Sequence, residues 1–273
     1  MVAVDLHTHT RCSHGKGTAR EMFAAGKERG IALHGFSEHS PRPDGYDYPS
    51  EYRAQLIRAF PDYVREVLEL KAQHPGQVLL GMEVDWMEAE IDFIQKVVRA
   101  YDFDYLIGSV HFVGKWGYDF SAEDWKPLSF DQRAAHYASY FRALIRMAAS
   151  QLFNIAAHPD LIKIFSIETF RRWLTQGDGL DLVRESLLAI RDAGMSMEIS
   201  SAGLRKPCGE IYPGPEIMRL TADLRVPVVF GSDAHQPADM GFAFDKLARY
   251  AASFGIKRGE CVIGGASFTF PLR

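Results

Sequence analysis

The chain is poor in cysteine. Its three cysteines, Cys12, Cys208 and Cys261, are odd in number and far apart, and no Cys-x-x-Cys occurs. That argues against a disulfide framework and fits a reducing compartment. Long apolar runs are missing too. No stretch of roughly 18 apolar residues occurs, so no membrane span is expected. The first residues lack the charged-then-apolar leader of a secreted protein, and the expected location is the cytoplasm. Net positive charge is also absent: the balance is −4, with both signs interspersed. This speaks against a nucleic-acid footprint. No low-complexity segment or Gly/Ser linker divides the 273 residues, so one domain over 1–273 is the expectation. With 47% apolar residues the core is large enough to need no metal or disulfide merely to hold the fold.

Several catalytic signatures are missing as well. There is no Gly-x-Ser-x-Gly nucleophile elbow. His14-Gly15-Lys16-Gly17-Thr18 lacks the spacing of a Walker phosphate loop. Neither Cys12 nor Cys208 opens a Cys-x5-Arg phosphate cradle. The remaining nucleophile for a hydrolase is water held on metal.

What is present is a repeating pattern. Seven short apolar runs alternate with longer segments: Val2–Leu6, Ala32–Phe36, Val78–Met82, Tyr105–Val110, Phe153–Ala157, Met195–Ile199 and Pro227–Gly231. Between them Tyr52–Gln73 places Leu56, Phe60, Tyr63, Val67 and Leu70 at helical spacing. Ala89–Tyr101, Asp131–Ala149, Leu180–Ala193 and Pro215–Leu224 also read as helices. The alternation predicts an α/β fold with a parallel sheet. Residues Val113–Phe130, aromatic and without period, read as a loop that walls a pocket.

Six of the seven runs end on residues that ligate metals: His7 and His9, then His39, Glu83, His111, His158, and Asp233 with His235. His14 follows the first pair. A single histidine in such a place is more often structural than a ligand; the joint occurrence carries the signal. Nine candidates are too many for the crevice of an open sheet and natural for the rim of a closed barrel, where C-terminal strand ends converge. Imidazoles and carboxylates without thiolate favour Zn, Fe or Mn. Glu83 is able to bridge two ions. His34, His74 and His136 lie at a strand start, a turn and a helix, and no role is assigned to them. Cys12 reads as a small residue lining its loop.

These motifs resemble the PHP family, named for its polymerase and histidinol phosphatase members. Asp5-Leu6-His7-Thr8-His9-Thr10, Glu38-His39-Ser40 and Gly231-Ser232-Asp233-Ala234-His235 match its first, second and last motifs, with Glu83, Ser109-Val110-His111 and Ala157-His158-Pro159-Asp160 in the intervening order. The resemblance implies a distorted (β/α)7 barrel with its metal site at the C-terminal strand ends. It is greatest towards stand-alone histidinol-phosphate phosphatases. Cys12-Ser13-His14-Gly15, Glu38-His39-Ser40-Pro41, Ser201–Pro207 with Glu210–Pro213, and His235-Gln236-Pro237 with Gly241–Phe244 carry that likeness. A polymerase segment is not expected. Carried over by position, the resemblance implies three divalent ions. His7, His9, Glu83 and Asp233 would hold the first, the bridging Glu83 with His111 and His158 the second, and His14, His39 and His235 the third.

The reaction so implied is hydrolysis of a small phosphate monoester, L-histidinol phosphate, as a step of histidine biosynthesis. Metal-activated water would attack phosphorus in line, and Asp233 or His235 would supply the leaving-group proton. Arg205 is the first candidate for gripping phosphate, because guanidinium can hold two oxygens at once. Lys163 and Lys206 follow. Glu210, Trp116 and Tyr212 are candidates for the cationic, aromatic end of the substrate. Two other enzymes are kept open. A PHP phosphoesterase acting on nucleotides or nucleic-acid ends would need a basic, aromatic groove beside the metals. A hydrolase of C–N or lactone bonds would leave Arg205 and Lys163 without a task. A non-catalytic metal-binding scaffold fits poorly with an intact ligand set.

Overall fold

The computed structural model describes residues 2–46 and 50–272. Among them the elements run β1 (Val4–Asp5), α1 (Ala19–Glu28), β2 (Leu33–Phe36), α2 (Ser50–Gln73), β3 (Val78–Asp85), α3 (Ile91–Val98) and β4 (Tyr105–Ser109). There follow β5 (Phe112–Val113), β6 (Trp116–Gly117), α4 (Phe130–Ala149), β7 (Ile155–Ala156), α5 (Ile167–Thr175), α6 (Gly179–Asp192) and β8 (Ser196–Ser200). The chain ends with α7 (Pro215–Asp223), β9 (Val228–Gly231), α8 (Phe244–Ser253), β10 (Arg258–Ile263) and β11 (Ala266–Pro271).

The seven expected strands form one sheet in the order β1-β2-β3-β4-β7-β8-β9, parallel at every pairing. The two ends of that sheet meet. Leu6 N–H donates to the Phe230 carbonyl at 3.1 Å, His9 N–H to Ala234 at 2.9 Å, and Thr8 bridges Ala234 in parallel. Asp5 fastens the seam: its carboxylate accepts from the Ser232 N–H at 2.9 Å and the Gly241 N–H at 3.1 Å. The result is the distorted seven-stranded (β/α) barrel implied by the motifs. Inside it Tyr105 reaches from β4 to donate to the Leu6 carbonyl at 2.7 Å. It passes Gly35 and Gly81, where a Cβ would lie 2.2 and 2.5 Å from the tyrosine. Only glycine leaves room for that ring.

The five expected helices are present with ends moved by a few residues, and the first turn of the Ala89–Tyr101 segment is a separate 3-10 turn, Glu88–Glu90. The sequence reading passed over α1, α5 and α8. α1 and α8 are only ten residues long, and Ala and Gly make up half of their buried faces (Ala19, Met22, Phe23, Gly26; Phe244, Leu247, Ala248, Ala251), so few large apolar residues mark them. Thr18 and Glu21 nevertheless form a capping box on α1, a local start signal. The β10–β11 hairpin was also passed over, although Gly264 and Gly265, both at positive φ, are the turn that such a hairpin wants. Val113–Phe130 is not structureless: β5 and β6 pair as a hairpin, and Ala122–Trp125 makes a 3-10 turn. Among the described residues no helix is long and apolar enough to cross a membrane.

Candidate metal centre

Each parallel strand delivers its last residues to the same rim, and the candidate ligands meet there around Glu83. This carboxylate is 1% exposed. Its Oε1 lies 3.1 Å from His158 Nε2, 3.5 Å from His7 Nε2 and 3.6 Å from His111 Nε2. Its Oε2 lies 2.8 Å from His39 Nδ1 and 3.6 Å from His9 Nε2. Asp233 closes the ring from β9, its Oδ1 at 3.3 Å from His9 Nε2, 3.4 Å from His235 Nδ1 and 3.9 Å from His7 Nε2. Among the described residues four triads offer atoms close enough to share an ion: His7–Glu83–His158, His7–His9–Asp233, His39–Glu83–His111 and His9–His39–His235. His7 Nε2, His9 Nε2 and His235 Nε2 are buried with no hydrogen-bond partner among the described residues. Buried polar atoms are rarely left so, and several of them converging on one space suit a bound cation.

A ring of carboxylates behind the histidines was not foreseen. Glu198 Oε1 faces His7 Nδ1 at 2.8 Å, and its Oε2 accepts the His158 backbone N–H at 2.8 Å. Glu38 faces His9 Nδ1 at 3.2 Å and is itself held by the Thr10 hydroxyl at 2.6 Å. Asp85 faces His111 Nδ1 at 2.5 Å and takes the Arg42 guanidinium at 2.5 Å. An acceptor at Nδ1 fixes the proton there and turns the Nε2 lone pair to the centre. Thus β8, the strand whose end carries no ligand type, still serves the site through Glu198. Gly231 makes room for it: a Cβ there would lie 1.9 Å from Glu198 Oε1. The signal available in sequence was a lone glutamate inside an otherwise apolar strand, Met195–Ile199.

The local field favours cations. Burial alone would push the Glu83 carboxyl up, but His7, His111 and His39 around it hold it well below the usual range. Asp233 is likewise held ionised against burial, by His235, His9 and His7. Burial would lower the pKa of His7, yet Glu198 and Glu83 raise it well above the ordinary value. For His9, the facing carboxylates of Asp233 and Glu38 overcome burial and raise it to about 9; for His111, Glu83 and Asp85 do the same, also to about 9. A field that draws a proton to these rings also draws a divalent ion to Nε2. His39 and His235 are driven the other way by burial and by neighbouring His9, so both stay neutral, as a ligand must be. Asp233 adopts φ 49°, a left-handed conformation unusual for a residue with a side chain.

Of the nine expected ligands, eight join at least one triad. His14 joins none among the described residues; its Nδ1 turns to the Tyr52 hydroxyl at 2.9 Å and its ring stacks on His235 at 4.1 Å. Cys12 is buried and outside every triad. His34, His74 and His136 lie away from the cluster, against Phe23, Phe23 and Trp116 respectively.

The expected substrate contacts divide. Lys206 lines the pocket that opens on His14, His39 and His111. Arg205 spends Nη2 on the Ser232 and Asp233 carbonyls at 2.8 and 3.0 Å and lies over Phe242, so it braces the Asp233 loop. Lys163 is not offered to a ligand: 1% exposed, it donates to Asp160 and Glu210 at 2.6 Å each and to the Ile211 carbonyl at 3.3 Å. Glu210 is in turn paired with Lys163 and Arg171. Trp116 packs on Trp125 and His136 instead of lining the pocket. Tyr212 is fully buried beneath the Lys163 ammonium. For Lys163, Glu210 and Trp116 the physical reason is the same: other side chains of the protein already hold them.

Known proteins agree with the geometry. The PHP domain matches residues 5–202. The "Probable histidinol-phosphatase" of Deinococcus radiodurans is 34% identical over 98% of this chain and 96% of its own. The "Histidinol-phosphatase" of Bacillus subtilis is 29% identical over 88% and 96%. In fold the chain is similar to histidinol phosphate phosphatase from Lactococcus lactis, a structure complexed with Zn, L-histidinol and phosphate. The TM-score is 0.73 at 18% identity, covering 97% of this chain and 98% of that one. With its barrel, its ordered motifs and this match over most of its length, the chain belongs to the PHP domain family.

Proposed function

We propose that this protein is a metal-dependent phosphatase that hydrolyses L-histidinol phosphate to L-histidinol and phosphate in histidine biosynthesis. The observation that carries the reading is Glu83, a buried carboxylate encircled by five histidines within 3.6 Å. The histidinol-phosphatases similar to it over nearly their whole length support the substrate.

Divalent ions bound here would activate water at neutral pH and neutralise the charge that builds on the phosphoryl oxygens. The residues fit such ions, because unpartnered nitrogens and carboxylate oxygens converge with no thiolate among them. Three ions are proposed: one on His7, His9, Glu83 and Asp233, a second on Glu83, His111 and His158, and a third on His39 and His235 with His14. The His9–His39–His235 triad supports a shared third position more directly than His14 does. Zn, Fe and Mn suit the donor set, and Zn is the ion in the Lactococcus lactis structure.

The chain's own groups do the rest. Glu198, Glu38 and Asp85 hold the Nδ1 protons of His7, His9 and His111. Asp233 or His235, 3.4 Å apart, would supply the proton for the leaving oxygen. Lys206, at the pocket, is the cation placed to meet phosphate on its way in. The three cysteines, all unpaired, suit a cytoplasmic enzyme.

The test is phosphate release by metal-loaded protein from L-histidinol phosphate, with generic monoesters and single-stranded DNA alongside. We expect kcat/KM for L-histidinol phosphate to exceed that of the generic esters by at least about tenfold, or about 1.4 kcal/mol in transition-state binding. Turnover of DNA ends or nucleotides without that preference would refute the assignment.

A further inference from the structure

Most of α2 is accounted for by its own chain. Its inner side packs on β3 and α1 and buries Leu56, Phe60, Tyr63, Val64, Val67 and Leu70. Its flanks are tied by ion pairs, Glu66 to Arg11 at 2.8 Å and Lys71 to Asp104 at 2.6 Å. The outer face is different. Ile57 and Leu68 are large apolar side chains left 45% and 47% exposed there, with the exposed Pro61 between them. Eleven residues make three helical turns to within about 20°, so Ile57 and Leu68 stand in one line, about 16 Å apart.

A single exposed aliphatic side chain needs no explanation, but a line of them beside ordered charge does. Next to this line run Arg58, Asp62, Arg65 and Glu69, all exposed. Their signs alternate, at spacings of four, three and four residues. The spacing is the same from either end, whereas the signs are reversed. A second α2 laid antiparallel therefore sets Glu69 opposite Arg58 and Arg65 opposite Asp62, while a parallel one sets like against like. In the antiparallel register the twofold axis lies level with Tyr63 and Val64. Ile57 then comes within about 3 Å, measured along the helix, of the partner's Leu68. Arg65 and Asp62 already meet at 2.6 Å within one helix. At the axis the two copies thus close a ring of four alternating charges.

We propose that this protein pairs with a second copy of itself through the outer face of α2, antiparallel about a twofold axis, aliphatic line on aliphatic line and charge row on charge row. The face suits a second copy because its charge order is complementary to itself. Two helices of 24 residues, each about 36 Å long, make a contact at the small end of specific interfaces, so the dimer forms in the micromolar range. Tyr52, which lines the pocket beside the metal centre, is buried on the side of α2 turned away from this face. Pairing therefore leaves turnover per subunit unchanged.

The test is sedimentation velocity on the metal-loaded full chain, from about 1 to about 200 µM. Leu68→Glu, Arg58→Glu, Glu69→Arg and the double variant Arg58→Glu/Glu69→Arg are run beside wild type. Circular dichroism and turnover per subunit confirm that each is folded. Wild type should approach twice the 30.7 kDa of one chain as concentration rises, and dissociate more readily in about 0.5 M salt. Leu68→Glu should stay monomeric. Each single charge reversal should raise the dimer Kd at least about tenfold, because symmetry makes it set two like-charge pairs face to face. The double variant should return to within about threefold of wild type. Positions 58 and 69 are about 16 Å apart along one helix, so this rescue cannot arise inside a monomer. A wild type that is monomeric at every concentration overturns the inference. So does a dimer that Leu68→Glu leaves intact, or a double variant that pairs no more tightly than the single ones.

Discussion

Replacing Glu198 by Gln is a near-isosteric change, yet the structure gives it a definite electronic consequence. Glu198 accepts two hydrogen bonds, from His7 Nδ1 at 2.8 Å and from the His158 backbone N–H at 2.8 Å. The backbone N–H can only donate, so the amide oxygen must face it; the reverse would bury two donors against each other at a cost of about 1–3 kcal/mol. The amide NH2 then faces His7 Nδ1 and demands an acceptor there. His7 must move its proton to Nε2, the atom that points at Glu83 and Asp233, and it can no longer donate a lone pair to an ion. Such orienting partners are worth about 10–100-fold in metal affinity or activity, or about 1.4–2.7 kcal/mol. The assay is phosphate release against free metal concentration, with circular dichroism to confirm the fold. Activity should fall at limiting metal and recover in part at excess. Nitrogen NMR of the His7 ring should show the proton shifted between nitrogens. A Glu198→Gln protein with wild-type metal affinity and turnover would refute the tautomer argument.

Other outcomes follow from the same geometry. Glu83→Gln should bring turnover to background and lower metal content, because one anionic oxygen is lost from the centre that five histidines share; elemental analysis beside the phosphate assay reads both. His34 should give the protein an acid sensitivity unconnected with the metal site. It is fully buried, and burial above all, opposed by a hydrogen bond to the Gln77 backbone and helped by the charge of Lys27, pushes its pKa down to about 4. The unfolded chain takes up this proton near its ordinary value of 6.5, before the folded one does. Stability is therefore complete above that pH and falls as pH drops towards 4, by about 2 kcal/mol at pH 5 and about 3 kcal/mol in full. Urea titrations at pH 8 and pH 5 should show this loss in wild type, and a smaller one in His34→Leu; equal losses in the two would refute it.

Much of this protein could be read from its residues in order. Strand ends are local: an apolar run followed by His or Glu can be seen without knowing what lies opposite, and the barrel brings six such ends to one rim whatever the loops do. Ligation also needs few residue types, so His7, His9, His39, Glu83, His111, His158, Asp233 and His235 were legible as a set. Helices with large apolar faces were legible for the same local reason, whereas the Ala- and Gly-rich faces of α1 and α8 were not. The tertiary structure alone decided which charges answer to which. Glu198, Glu38 and Asp85 orient histidines 191, 29 and 26 residues away, and their own neighbourhoods do not say which histidine each one faces. Lys163 looked like a phosphate contact until Asp160 and Glu210, 3 and 47 residues off, closed around it. A side chain's type fixes the chemistry it is able to do; burial and partners, set by contacts distant in sequence, fix whether it is left free to do it.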